Sequence, residues 1–297
     1  MGKRIFMTFA DTHMSKTLER IRKEAEESDF FDEILIFTEK NFEPEYSLKY
    51  SDFISTHKRG YGYWIWKSHL IHRQLLKMNH GDCLIYLDSG CEVNKGGRTR
   101  FQEYLKMANK SELGIVAFST GLPEKKYSKG DLIDYMNVRN NPILDTAQIM
   151  GGLLIFCCKD ESISLVQRWE QIVHSKLNLV DDSASVSPND SAFVENRHDQ
   201  SVLSILVKTT GGAVVLSGNE VDVFPPTNRN WRRLKKSPFL ATRNRNGNPR
   251  LGKTPMPIIY ICNLYWDTEN AVQDTITNIR IKAGKVIKDF RRKLVKN

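Results

Sequence analysis

Residues 83–87, Cys-Leu-Ile-Tyr-Leu, form an apolar run without polar alternation that stops abruptly at Asp88-Ser89-Gly90. A strand with one wet face alternates. One that does not alternate is covered on both faces, as in the centre of a parallel sheet flanked by helices. The beginning of the chain agrees. Residues 3–10 and 33–37 read as strands on either side of a helix over 15–27, where Leu18, Ile21 and Ala25 recur at helical spacing. This βαβ opening predicts a parallel sheet.

Further along, the patterning predicts an aromatic-rich helix over 61–78, a helix over 100–109 and a buried strand over 114–119. It continues with a strand over 148–158 entered through the double glycine 151–152, a helix over 160–176, a polar loop over 181–196, a helix over 199–208 and a strand over 213–217. The expected architecture is one Rossmann-like α/β domain over 1–225. A Pro-, Gly-, Asn- and Arg-rich loop or lid over 226–257 follows, then a C-terminal segment, 258–297, with an amphipathic helix over 271–297.

Charge is distributed unevenly. Residues 229–253 hold nine Lys/Arg and no acid, and residues 280–297 hold eight Lys/Arg and one acid, in a chain of net charge +9. The remainder is therefore acidic, which points to two localised anionic partners rather than to a uniformly basic nucleic-acid binder. Arg229, Arg232, Arg233, Lys235 and Lys236 are placed to close over a pyrophosphate or to face an anionic acceptor. The terminal helix, apolar on one side and lysine-rich on the other, suits the surface of an anionic membrane; packing on the domain is the alternative. The five cysteines show no zinc-knuckle spacing, and no apolar run reaches the length of a signal core or a membrane span. The expected location is cytoplasmic, peripheral at the inner face of a membrane if the terminal helix binds there.

An acid where a buried strand emerges lies where open α/β sheets bind ligands. Asp88 there can hold a divalent cation, and the cation a diphosphate, although a lone Asp after a strand also serves as a turn or cap. Lys67 or Arg59 could neutralise a phosphate, with a solvated lysine stem running past Trp64 and Trp66 as the alternative. Tyr61, Tyr63, Trp64 and Trp66 could stack on a base or sugar, at least two of them serving as packing. Asp199 and Gln200 open a helix after a polar loop, and Gly151 and Gly152 permit close backbone approach.

Three segments carry a resemblance. Gly60–Leu76 with the strand tail 81–94, Met150-Gly151-Gly152-Leu153-Leu154-Ile155-Phe156, and His198-Asp199-Gln200 occur in the order of the metal-binding strand end, the "N-x-G-[VL]-[LM]-x-F" strand and the "D-Q-x-x-[LV]-[NS]" helix start. In this respect, over about residues 3–215, the chain resembles GT-A fold nucleotide-sugar glycosyltransferases, in particular the glycogenin-like and lipopolysaccharide galactosyltransferase-like families and related bacterial and viral proteins.

The resemblance implies transfer of a sugar from a nucleotide diphosphate sugar to an acceptor hydroxyl on a surface glycan or lipid-linked saccharide, with retention of configuration. It implies a Mn2+ or Mg2+ ion at Asp88 and a donor site of Thr8, Phe9, Ala10, Arg59, Tyr61, Trp64, Lys67, Asp88, Ser89, Gly90, Gly151 and Gly152. Asp199 and Gln200 would lie beside the anomeric carbon, Asp199 as base, nucleophile or hydroxyl acceptor. The sequence departs from the pattern at Gly90, where the metal motif has a second Asp, and it lacks the C-terminal His-x-x-Gly-x-x-Lys-Pro-Trp signature. The rivals are a nucleotidyltransferase making nucleotide sugars, whose early glycine-rich loop is missing over 8–15, a nucleic-acid binder using the basic segments, and an inactive scaffold.

Overall fold

The computed structural model describes residues 2–223 and 231–244. The chain opens with β1 (Arg4–Phe9), α1 (Ser15–Ser28), β2 (Glu33–Phe37), α2 (Pro44–Thr56), α3 (Gly60–Tyr63) and α4 (Ile65–Leu75). It continues with β3 (Cys83–Leu87), β4 (Glu92–Val93), α5 (Arg98–Lys110), β5 (Ile115–Pro123), α6 (Glu124–Tyr127), α7 (Gly130–Tyr135), β6 (Ala147–Ile149) and β7 (Leu153–Cys157). Then come α8 (Asp160–Ser175), α9 (Asp199–Thr210), β8 (Val214–Ser217), α10 (Trp231–Leu234) and β9 (Phe239–Leu240). The expected C-terminal helix over 271–297 and most of the basic loop lie outside the described residues.

Seven strands make the main sheet. β1 lies between β2 and β3, parallel to both, and β8 runs parallel to β5. β7 is inserted antiparallel between β3 and β5, with Leu84 opposite Phe156 and Ile85 opposite Ile155. The apolar run at 83–87 is thus parallel to one neighbour and antiparallel to the other. Its burial has the expected cause. Leu84 and Tyr86 join the core under α2, α4, α8 and α9, whereas Ile85 and Leu87 join the core under α1 and α5. With both faces covered, each residue of the strand is withdrawn from water and an apolar side chain is favoured at every position.

Two elements differ from the sequence expectation. The strand expected over 148–158 is two strands, β6 and β7, joined by Met150–Gly152. The helix expected to begin at Tyr61 begins at Ile65. Before it, five consecutive residues, Gly60, Tyr61, Gly62, Tyr63 and Trp64, have φ of 59°, 54°, 82°, 52° and 60°. Trp64 N donates to Gly60 O at 3.1 Å and Tyr63 N to Arg59 O at 2.8 Å, so α3 is a single left-handed turn. The left-handed form costs an L residue about 1–2 kcal/mol, so glycine at 60 and 62 spares the turn two of its five penalties.

Candidate active site

The carboxyl ends of β1, β3 and β5 and the amino end of β7 meet around a cavity of about 700 Å3. From the sequence-expected set it is lined by Phe9 and Ala10 (after β1), Tyr61 and Trp64 (the left-handed turn), Asp88, Ser89 and Gly90 (after β3), Gly152 and Gln200. Of the four aromatics at 61–66, Tyr63 and Trp66 are buried. Trp66 stands against Phe9, ring centroids 3.9 Å apart, and its indole N–H donates to Gly60 O at 2.9 Å. Tyr61 and Trp64 are half-buried and border the cavity.

Asp88 is held from three directions. Its backbone N–H donates to Gly152 O at 2.8 Å, continuing the β3–β7 ladder past the last paired residue. Tyr86 Oη donates to Asp88 Oδ1 at 2.7 Å, and Lys67 Nζ lies 3.2 Å from the same oxygen. A Cβ at Gly152 would lie 2.5 Å from Asp88 Oδ2. The carboxylate therefore occupies the space that glycine leaves.

Lys67 is not a surface lysine. Its side chain is 2% exposed, and its ammonium also lies 3.5 Å from Asp199 Oδ2 and 3.1 Å from Gly151 O. Burial pulls its pKa down, and the charges of Asp199 and Asp88 more than offset that, leaving it above the ordinary lysine range. Asp199 is equally enclosed, at 3% exposure. Burial pushes its carboxyl up to about 7, with Lys67 opposing and the charge of Asp88 adding to the shift. Asp199 is the first residue of α9, and the position before it is His198, whose side chain makes no cap hydrogen bond.

Of the pair that opens α9, Gln200 reaches the cavity wall, and Asp199 turns inward to Lys67. Gln200 Oε1 accepts from Gly151 N at 3.0 Å, and its Nε2 donates to Gln148 Oε1 at 2.8 Å. Thr8 is fully buried, its hydroxyl without a partner among the described residues, and does not line the cavity. Arg59 points to Asp182 and Glu195, at 3.5 and 4.0 Å, also away from the lining. Gly151 takes part through its backbone alone.

Four contributors were not expected from the sequence. Arg197 lines the cavity with its guanidinium 4.5 Å over the Tyr127 ring, and its Nε is buried without a partner among the described residues. Its position immediately before His198-Asp199-Gln200 was the available signal. Arg243 comes from the basic segment, where β9 pairs with β4 and Asn244 N and Thr242 Oγ1 donate to Gly90 O at 2.8 and 3.0 Å. Asp222, after β8, completes the rim. Arg20, on α1, forms a buried ion pair with Glu24 at 3.0 Å and donates from Nη2 to Ser89 O at 2.7 Å. Glu24 Oε2 accepts from Val93 N, so the pair tethers both ends of the 88–93 loop. The lid residues Arg233 and Lys236 lie instead beside a second cavity with Arg100 and Glu220.

A divalent cation does not suit the two positions that the resemblance assigns to it, Asp88 and position 90. Hard cations take several oxygen ligands, mostly carboxylates and waters. Here Asp88 Oδ1 already accepts from Tyr86 and faces an ammonium, Asp199 is enclosed against the same ammonium, and position 90 carries no side chain. No three His, Cys, Asp or Glu side chains among the described residues come together as a metal group.

No protein-family model matches the chain, and no curated protein matches it. Among solved structures it is similar to a glycosyltransferase involved in the glycosylation of the major capsid of PBCV-1, with a TM-score of 0.43, 11% identity, and 80% of this chain and 92% of that one covered. It is also similar to the galactosyltransferase LgtC, solved with donor and acceptor sugar analogues, with a TM-score of 0.43, 13% identity, and 86% and 85% covered. At this level of similarity neither structure assigns a role to a residue of this chain.

Proposed function

We propose that the chain is a nucleotide-sugar glycosyltransferase that moves a sugar from a nucleotide diphosphate sugar to an acceptor hydroxyl. The observation that carries this reading is the cavity at the strand ends. It combines an aromatic wall (Tyr61 and Trp64), a fixed carboxylate (Asp88), close backbone at Gly152 and two guanidinium groups, in a volume suited to a small ligand. The aromatic wall takes the base, and the backbone of Phe9 and Ala10 borders the base and ribose. Asp88 Oδ2 and Gln200 face the sugar hydroxyls.

In transfer with retention, the acceptor oxygen bonds to the anomeric carbon on the face from which the diphosphate departs. The bond from that carbon to the diphosphate oxygen breaks with its electron pair. The acceptor proton passes to a departing phosphate oxygen. The ring becomes oxocarbenium-like, and the Asp88 carboxylate stabilises the positive charge. Lys67 keeps Asp88 and Asp199 in place without itself touching the ligand. The proposed acceptor is a surface glycan or lipid-linked saccharide. Peripheral contact with an anionic membrane through residues 258–297 is part of the proposal; no helix among the described residues is long and apolar enough to cross a membrane.

The test is a panel of nucleotide diphosphate sugars scored by thermal stabilisation and by slow donor hydrolysis, with wild type and Asp88→Ala. One donor should raise the melting temperature and be hydrolysed, and Asp88→Ala should lose hydrolysis. A panel without a shift or any hydrolysis overturns the transferase reading. Stabilisation by a nucleoside triphosphate with a sugar phosphate, and by no nucleotide sugar, replaces it with a nucleotidyltransferase.

A further inference from the structure

Directly behind the cavity wall the protein already holds a cation. Lys67 Nζ sits 3.2 Å from Asp88 Oδ1, 3.5 Å from Asp199 Oδ2 and 3.1 Å from Gly151 O, in a side chain only 2% exposed. It compensates Asp88, where a divalent ion was expected, together with the enclosed Asp199, and Tyr86 occupies Asp88 Oδ1 as well. Gly90 contributes backbone only, and its carbonyl is taken by Thr242 and Asn244. The negative charge of a bound diphosphate must nevertheless be met, because anionic ligands are held by paired or preorganised positive groups. Among the described residues, the cationic side chains that line the cavity are Arg197 and Arg243.

The two arginines arrive from different parts of the chain. Arg197 precedes α9 and is steadied by the Tyr127 ring and by Glu195, 3.3 Å from Nη2, while its Nε lacks a partner among the described residues. Arg243 is exposed, on backbone pinned to Gly90. A guanidinium presents several N–H donors in a plane that matches phosphate oxygens, which an ammonium does not.

We propose that this site binds its nucleoside diphosphate without a divalent cation, with Lys67 as the internal counter-ion of Asp88 and Asp199 and with Arg197 and Arg243 as the groups that meet the diphosphate. The inference rests on the transferase reading and concerns the same cavity. It predicts that a chelator leaves affinity unchanged and that a salt of manganese adds nothing. It also predicts that the charge of the two arginines matters more than their size.

The test is calorimetric titration of the full chain with uridine diphosphate and guanosine diphosphate, each with EDTA and with manganese chloride. Electron paramagnetic resonance of manganese mixed with the protein alone is the second readout. At least one nucleotide should bind with the same affinity in both buffers, and the manganese spectrum should remain that of the free ion. Arg197→Gln and Arg243→Gln should each weaken binding about tenfold or more in EDTA, the size of a lost charge-assisted hydrogen bond. Binding seen with manganese and lost in EDTA overturns the inference and leaves the transferase reading standing. Binding that ignores EDTA and both substitutions overturns the assignment of the arginines. If neither nucleotide binds in either buffer, the transferase reading falls and the inference with it.

Discussion

Replacing Asp199 by Asn should change how stability depends on pH, by an amount the structure allows to be worked out. The carboxyl titrates near 3.8 in the unfolded chain and is pushed up to about 7 in the folded one, chiefly by burial. Below the unfolded value both states are protonated and the group costs nothing. Between the two values the unfolded chain gives up its proton first, so stability falls as pH rises and the whole contribution is lost above the folded value. Three units at 1.36 kcal/mol each amount to about 4 kcal/mol.

The Asp199→Asn side chain would have nearly the same shape, an oxygen for Lys67 and no titration. The stability of this variant relative to wild type should therefore rise by up to about 4 kcal/mol from pH ~4 to pH ~8. Urea unfolding followed by tryptophan fluorescence at a series of pH values measures this directly. Parallel curves for the two proteins, or a difference that grows toward acid, would refute the placement of Asp199 as an enclosed carboxyl sharing one ammonium.

Three further outcomes follow from individual contacts. Gly152→Ala would put a methyl 2.5 Å from Asp88 Oδ2, so the carboxylate must swing off Tyr86 and Lys67; donor hydrolysis should drop at least about tenfold, with a stability loss of about 1–3 kcal/mol on denaturant unfolding. Gly60→Ala would place a Cβ 2.4 Å from the Trp64 ring at a φ of +59°; a lower melting temperature together with weaker nucleotide binding is expected, and an unchanged affinity would remove Trp64 from the binding wall. Arg20→Met breaks a buried ion pair and frees Ser89 O, at a cost of about 3–5 kcal/mol in urea unfolding; a loss under about 1 kcal/mol would mean that the pair does not hold the loop.

The strand ends were legible because burial on both faces leaves a direct mark in the sequence: an unbroken apolar run, then a polar stop at Asp88. The direction of β7 was not legible for the same reason. A run such as Leu153–Cys157 is apolar whichever way it points, and its orientation comes from pairing with β3. The surroundings of Lys67 were hidden by sequence separation. Helical spacing sets Lys67 on one face with Leu70, Ile71 and Gln74, all buried, so its withdrawal from water was within reach of the pattern, but its two carboxylate partners were not. Those partners, Asp88 and Asp199, come from the end of β3 and the start of α9, 21 and 132 residues further along the chain. Arg20 and Arg243 gave no local signal, since each reaches the site across a long sequence separation.

The hydrogen bond from Asp88 to Gly152 has a bearing on how the protein comes into being. It joins positions 64 residues apart, and the cavity draws on residues from Phe9 to Arg243. Closing such distant pairings is slow relative to forming helices. As the chain leaves the ribosome, α1 and β1–β3 can assemble early, yet the cavity does not exist until β7 has inserted beside β3 and the 237–244 segment has settled on Gly90. A ligand of this cavity would therefore recognise only finished molecules, and the fraction of chains it captures during synthesis would count those that have completed the sheet.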